Sequence, residues 1–232
     1  MIFRAAEPYS VRPGRFLALG QQFFDEPERD TMKLENLPFA EACERNKHPI
    51  LEQLETLLPS SGTVLEIGSG TGQHVTWFAP RFPGLVWQPS DRADYLPGLV
   101  ARIAANTSQN IRQPLLLDVL LDWPDEVFSA VYSANTAHIM GWPAVCAMCE
   151  GVAQHLEPDG LFLLYGPFNQ DGAFTAESNA AFDRRLRQQD SQMGLRDVEA
   201  LDTLAARHQM RPAGRFQLPA NNQLLVYRKS AV

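Results

Sequence analysis

Val64-Leu65-Glu66-Ile67-Gly68-Ser69-Gly70-Thr71-Gly72 reads as a short strand running into a glycine loop, and Gln73 to Phe82 beyond it reads as a helix. The three glycines stand at every second position. Glycine reaches positive φ without strain and lets backbone approach a ligand closely. In an open α/β sheet ligands bind beyond the carboxyl ends of the strands, so this loop is placed to cradle a cofactor. The dinucleotide fingerprint G-x-G-x-x-G, begun at Gly68, would put its third glycine at position 73. Here that position is Gln73, the third glycine is Gly72, and an acid, Glu66, precedes the first. This spacing disfavours a nicotinamide oxidoreductase.

Outward from the loop, the periodicity alternates between strand and helix. Ile50, Leu51, Leu54, Leu57 and Leu58 recur at helical spacing before it, and Pro59 and Gly62 end that helix. After it come a strand at Leu85–Gln88, a helix from Tyr95 to Asn106, a strand at Leu115–Leu117 and one at Phe128–Ser133. A helix opens at Trp142-Pro143, where proline suits the first turn. Glu157-Pro158-Asp159-Gly160 reads as a turn and Leu161–Tyr165 as a strand. Helices are expected at about Thr175–Gln189 and Val198–Met210, the second capped by Asp197. Gly214–Leu218, a turn at Pro219-Ala220-Asn221-Asn222, and Gln223–Arg228 form a hairpin pattern. Strand and helix in alternation predict a mostly parallel sheet with helices on both faces, closed by an antiparallel hairpin. Residues 1–36, with Pro8, Pro13 and Pro27 and a charge-dense run from Asp25 to Asp30, are expected to form an N-terminal extension or arm to a domain at 37–232.

Two further acids follow predicted strands. Asp91 lies 25 positions after Glu66, and Asp118 lies 27 after Asp91, each close to one strand-helix-strand step. An aspartate after a strand is ordinarily a turn former. Three acids at the period of the sheet instead line one edge of it. The pattern E-x-G-x-G-x-G resembles the cofactor loop of class I S-adenosylmethionine-dependent methyltransferases. The resemblance implies a Rossmann-like fold with a seven-stranded sheet. It also implies that Gly68, Ser69, Gly70 and Gly72 cradle the donor. In it Asp91 takes the ribose hydroxyls, Asp118 takes the adenine amino group, and Glu66 fixes the loop at the methionine end. Carboxylates suit the first two tasks because they accept hydrogen bonds only.

The likeness extends along Glu44-Arg45-Asn46-Lys47-His48-Pro49-Ile50-Leu51, Ser133-Ala134-Asn135-Thr136-Ala137-His138-Ile139, Tyr165-Gly166-Pro167-Phe168-Asn169, Glu177-Ser178-Asn179, Gly194-Leu195-Arg196-Asp197 and Pro219-Ala220-Asn221-Asn222. Together these stretches, from about Leu37 to Lys229, resemble a methyltransferase-like family of unknown substrate found in bacteria and animals. The resemblance brings a fold and a cofactor but no substrate. By it Arg45, Asn46 and Asn135 are candidates to touch the cofactor.

On the acceptor side, the loop after the fourth strand holds Asn135 and His138. It lacks the two prolines and the aromatic residue found there in adenine and glutamine N-methyltransferases, which argues against that chemistry. His138 is a candidate general base, since imidazole titrates near neutral pH; its alternative is a loop-fixing hydrogen bond. Asn135 and Tyr165 join it as candidate catalytic groups. Phe168, Asn221 and Asn222 are candidate substrate contacts, the asparagines because they both donate and accept; their alternative is a turn pair tolerant of left-handed φ.

Composition narrows the classes further. The chain has 232 residues, 45% apolar and 20% charged, which excludes a disordered chain and a fibrous repeat. No apolar run reaches the ~18 residues of a membrane span. A net charge of −7 makes a nucleic-acid partner unfavourable. Three cysteines without a framework, and no export signal, point to the cytoplasm. Cys146 and Cys149 form a C-x-x-C on a predicted buried helical stripe, so core packing rather than metal binding is expected; no metal is implied. Arg184, Arg185 and Arg187, beside Asp183 and Asp190, read by default as a solvated helix face; the alternative, a nucleic-acid or anionic-substrate contact, has no support in the overall charge. The expected activity is methyl transfer from S-adenosylmethionine to a small molecule. The second reading is a non-catalytic subunit that binds the same donor. The oligomeric state is left open.

Overall fold

In a computed structural model of the chain, residues 37–231 are described. The expected arm at 1–36 lies outside them. In chain order the elements are helix α1 (Glu41–Leu57), strand β1 (Gly62–Ile67), α2 (Gln73–Phe78), β2 (Leu85–Asp91), α3 (Leu96–Ala104), β3 (Leu115–Leu116), β4 (Phe128–Ala134), α4 (Trp142–His155), β5 (Leu156–Gly166), β6 (Phe168–Asn169), α5 (Glu177–Gln189), β7 (Arg196–Asp197), α6 (Val198–Arg207), β8 (Met210–Leu218) and β9 (Asn222–Lys229). Seven strands form one sheet in the order β3-β2-β1-β4-β5-β9-β8. The first five are parallel, while β9 runs antiparallel to β5 and β8 antiparallel to β9. The carboxyl ends Ile67, Asp91, Leu116, Ala134 and Gly166 therefore share one edge.

Strand alternation divides the core in two. Val64 of β1 packs with Ile50, Leu54, Val75, Phe78 and Leu99 beneath α1, α2 and α3. Leu65 and Ile67 pack with Val145, Met148, Val152, Leu201 and Leu204 beneath α4 and α6. Cys149 belongs to this second cluster, as expected of the buried C-x-x-C helix. In α1 the buried positions are Asn46, Ile50 and Leu54, a stripe at every fourth residue. Its first member is polar and lies toward the carboxyl edge of the sheet.

Several boundaries differ from the sequence reading. Strand β2 runs on to Asp91 through Pro89. The ladder permits this because Trp87 and Asp91 both bond toward β3, so Pro89 lacks its N–H where that edge ladder is interrupted, between Ile111 and Leu115. The turn read at Glu157–Gly160 sits inside β5 as an irregularity. Leu156 still pairs with Phe128, Ala130 then pairs with Leu161, and Asp159 has φ +62°. Helix α6 ends at Arg207, and Gln209 at φ +59° turns the chain into an earlier and longer β8. The Asp197 cap is present, its side chain accepting from Glu199 N. The two-residue parallel pair β6–β7 was not expected.

Candidate functional site

The glycine loop after β1 has Gly68, Gly70 and Gly72 at φ +71°, +54° and +75°, the region that favours glycine. Gly68 and Gly72 are also packed closely. A Cβ on Gly68 would lie 2.6 Å from Thr136 Cγ2, and one on Gly72 would lie 2.8 Å from Leu99 Cδ1. A Cβ on Gly70 would meet nothing within 4 Å, so the loop is open on that side. The amides of Gly68 and Ser69 donate to Ser90 O at 3.0 Å, and Gly70 N donates to Asp91 Oδ2 at 2.6 Å. Ser69 Oγ donates to Glu66 Oε2 at 2.8 Å. Glu66 shares the face of Val64, and burial pushes its carboxyl up to about 7; Ser69 opposes the shift and Asp91 adds to it. Thus Glu66 holds the loop from within.

On the β2 and β3 side of the loop lies a cavity of about 440 Å³ lined by Arg92, Asp94, Leu116, Asp118 and Leu121, among others. Leu116 and Leu121 are 64% and 71% exposed there. Asp118 caps the following turn through Leu120 N at 3.0 Å and has Arg92 Nε at 3.9 Å. Asp91 sits at the end of β2, its Oδ1 accepting from Arg92 N at 2.8 Å. Burial raises the Asp91 carboxyl, and the amides of Gly70 and Arg92 hold it back.

On the β4 and β5 side, a cavity of about 410 Å³ is lined by Arg45, Asn46, Pro49, Asn135, Tyr165 and Asn222, among others. Asn46 is oriented by a buried chain of polar groups. Burial keeps the Tyr132 phenol protonated, and because Asn46 Oδ1 can only accept from the neutral His74 ring at Nε2, His74 Nδ1 is left to accept from that phenol at 3.3 Å. The ring then carries its proton on Nε2 and donates to Asn46 Oδ1 at 2.8 Å. That assignment leaves the Asn46 amide nitrogen as a donor to the Tyr165 phenol, which lines the same cavity. Burial pushes His74 down to about 4. Pro49 has no N–H to give the Arg45 carbonyl, so α1 lacks one of its helical hydrogen bonds where Arg45 and Pro49 line the cavity.

Ala42, Arg45, Asn135, Ala220 and Asn222 also line an adjoining cavity of about 480 Å³, completed by His138, Pro167, Ser178, Asn179, Phe182, Arg185 and Asn221. Asn135 stands where the two meet, at φ +60°, its amide bonded to Tyr165 O at 2.9 Å. Left-handed backbone on a non-glycine residue is a stored strain of the kind that collects at functional sites. The His138 ring packs edge-on to Phe182, 5.2 Å between centroids. The ring makes no hydrogen bond to another described residue, while the His138 carbonyl accepts from Gly194 N at 2.9 Å. Its loop is clamped also by Arg196, which donates to Ala137 O at 3.0 Å and to Met140 O. Burial, then the charge of Arg196, pushes His138 down to about 4.

The residues singled out in the sequence are thus mostly gathered at one sheet edge. Phe168 is the correction. It is 1% exposed and packs in the core beneath α4 and α6, because alternation past Tyr165 turns it to that face. Its neighbour Pro167 and, from α5, Phe182 supply the apolar wall instead. Asn221 and Asn222 line the cavity while serving the hairpin turn. Asn221 Nδ2 donates to Ser178 Oγ at 3.1 Å, and Asn222 Nδ2 to Pro219 O at 3.1 Å. His74, Tyr132 and Phe182 carry no signal of the site in the sequence, and Arg185, whose default reading is a solvated helix face, lines the second cavity.

A family model described as "Protein of unknown function (DUF938)" matches residues 37–229. Among solved structures the chain is similar to an O-methyltransferase family protein from Burkholderia thailandensis, with TM-score 0.71 and 16% identity over 82% of this chain and 58% of that one. It is similar to human N-acetylserotonin methyltransferase in complex with SAM, with TM-score 0.68 and 15% identity over 82% and 53% of the two chains. It is also similar to an O-methyltransferase family 2 protein from Planctomyces limnophilus in complex with apigenin, with TM-score 0.68 and 14% identity over 82% and 60%. The chain therefore spans little more than half the length of these structures. At such identities the likeness establishes the fold, a Rossmann-like methyltransferase fold. Among the described residues no helix is long and apolar enough to cross a membrane.

Proposed function

We propose that this chain, which belongs to the DUF938 family, is an S-adenosylmethionine-dependent methyltransferase acting on a small molecule. One observation carries the reading. The glycine loop, bonded to Asp91, follows β1 at the carboxyl edge of the sheet, with a cavity lined by Arg92 and Asp118 on the β2 and β3 side and a pair of adjoining cavities that meet at Asn135 on the β4 and β5 side.

The residues fit the donor. Gly70 leaves backbone open to a ligand. Each Asp91 oxygen accepts one amide and keeps a lone pair for a ribose hydroxyl. Leu116 and Leu121 offer apolar flanks for a purine, with Asp118 to accept from its amino group. Arg45 and Asn46 line the cavity where an amino-acid carboxylate is to be held, and Arg45 brings a guanidinium to it. When bound, S-adenosylmethionine supplies a methyl group made electrophilic by its sulfonium.

The chain then positions the nucleophile and handles its proton. Asn135 and Tyr165 are placed to hold the acceptor by hydrogen bonds. His138, unprotonated at neutral pH and lining the acceptor cavity, takes the proton of an acidic nucleophile. The acceptor cavity is of small-ligand size. Calorimetric titration with S-adenosylmethionine, S-adenosylhomocysteine and NAD tests the reading. Both adenosyl ligands are expected to bind and NAD is not, with Asp91→Ala weakening them at least about tenfold. Binding of neither adenosyl ligand, or wild-type affinity in Asp91→Ala, overturns it.

A further inference from the structure

The chain carries a net charge of −7, yet the cavity of about 480 Å³ is lined by Arg45 and Arg185 and by no aspartate or glutamate. The other arginines nearby are engaged. Arg187 Nε donates to Asp183 Oδ2 at 2.7 Å, and Arg196 is bonded to backbone carbonyls. Arg185 has no ion-pair partner among the described residues. Its guanidinium carbon lies 5.8 Å from the centroid of Phe182, which forms the apolar wall with Pro167. Arg45 pairs with Glu41 at 3.1 Å, but both side chains are largely exposed. Such a pair contributes little and yields readily to a better partner.

We infer that this cavity takes a small acceptor with an oxyanion head, a carboxylate or a phosphate, held by Arg185, and an apolar body against Phe182. The planar guanidinium fork matches either oxyanion with paired, charge-assisted hydrogen bonds. An acceptor of this class arrives already ionised at its head. The inference rests on the reading of this cavity as the acceptor site.

Benzoate, phenyl phosphate, benzamide and benzylamine are the probes, titrated by calorimetry against the full chain with and without saturating S-adenosylhomocysteine. At least one oxyanion is expected to bind about tenfold or more tighter than the uncharged and cationic probes. Arg185→Gln removes that margin while leaving S-adenosylhomocysteine affinity unchanged. Arg184→Gln, at an exposed position outside the cavity lining, keeps the margin. Equal binding of all four probes, no oxyanion binding at millimolar concentration, or a margin that survives Arg185→Gln overturns the inference. Failure of S-adenosylhomocysteine to bind while the oxyanion margin persists would overturn the donor reading and leave the oxyanion site standing.

Discussion

His74 and His138 are the residues whose chemistry departs most from their free behaviour, and for the same reason. Each ring is enclosed, and enclosure disfavours the imidazolium. Both are pushed from 6.5 down to about 4. Ring-proton titration by NMR is therefore expected to find these two histidines neutral and unchanged from pH 8 to about pH 5. A midpoint near 6.5 for His138 would mean that its ring is solvated and a stronger base than proposed. The two differ in how visible they are in the sequence. His138 falls in a loop after a recognisable strand, beside Asn135, so its place at the edge is legible. The role of His74 depends on Asn46 and Tyr132, 28 positions before it and 58 after it. No local spacing announces partners at that distance. Phe168 lies in the core rather than at the mouth because a stretch that begins at the mouth need not keep every side chain there; two or three residues on, alternation returns it to the core.

At the scale of elements, the glycine loop separates folding from binding. Gly68→Ala and Gly72→Ala drive a methyl into Thr136 and Leu99, so both are expected to lower thermal stability by well over 1 kcal/mol, at the scale of overpacking. Gly70→Ala meets no neighbour and bears only the backbone strain of φ +54°, about 1 kcal/mol. It should remain folded yet lose affinity for S-adenosylhomocysteine, because its methyl occupies the side left open. Thermal melts beside calorimetry check this; unchanged affinity in Gly70→Ala would place the ligand elsewhere. The β8–β9 turn makes the opposite case. Ala220 and Asn221 have φ +60° and +58°, a mirror-image turn in which alanine is strained. Ala220→Gly is expected to stabilise by up to about 1 kcal/mol; a lower melting temperature would show that the hydrogen bonds of the turn to α5 govern its stability. The long elements were legible because their apolar periods are long. Strands β6 and β7 were not, since a two-residue pair leaves no period to read. The extension of β2 through Pro89 was hidden because proline is excluded from strands only where its N–H is needed.

For the whole molecule, the pH dependence of stability turns on Glu66, a carboxyl sealed beneath the glycine loop. Its usual value of 4.5 is raised to about 7 in the folded chain, chiefly by burial. Between those values the folded chain holds a proton that the unfolded chain has released. Stability from this group is therefore complete below about pH 4.5 and is lost as pH rises through about 7. The decline is at most about 1.4 kcal/mol per pH unit, or about 3 kcal/mol across the window. The two buried histidines act in the opposite sense, because below about 6.5 their unfolded rings take up protons that the folded rings refuse. Wild type alone thus mixes opposing slopes, whereas comparison with Glu66→Gln isolates one group. Glutamine copies the shape of the protonated carboxyl and still accepts from Ser69 Oγ, but cannot ionise. Denaturant unfolding is expected to give the two proteins similar stability at pH 4.5 and to favour Glu66→Gln increasingly toward pH 8. The loop would then be most firmly held in a protein that no longer pays to bury a charge. If Glu66→Gln is the less stable protein at pH 8, the ionised carboxylate is accommodated beneath the loop, and its hydrogen bonds rather than its neutrality fix the glycine backbone.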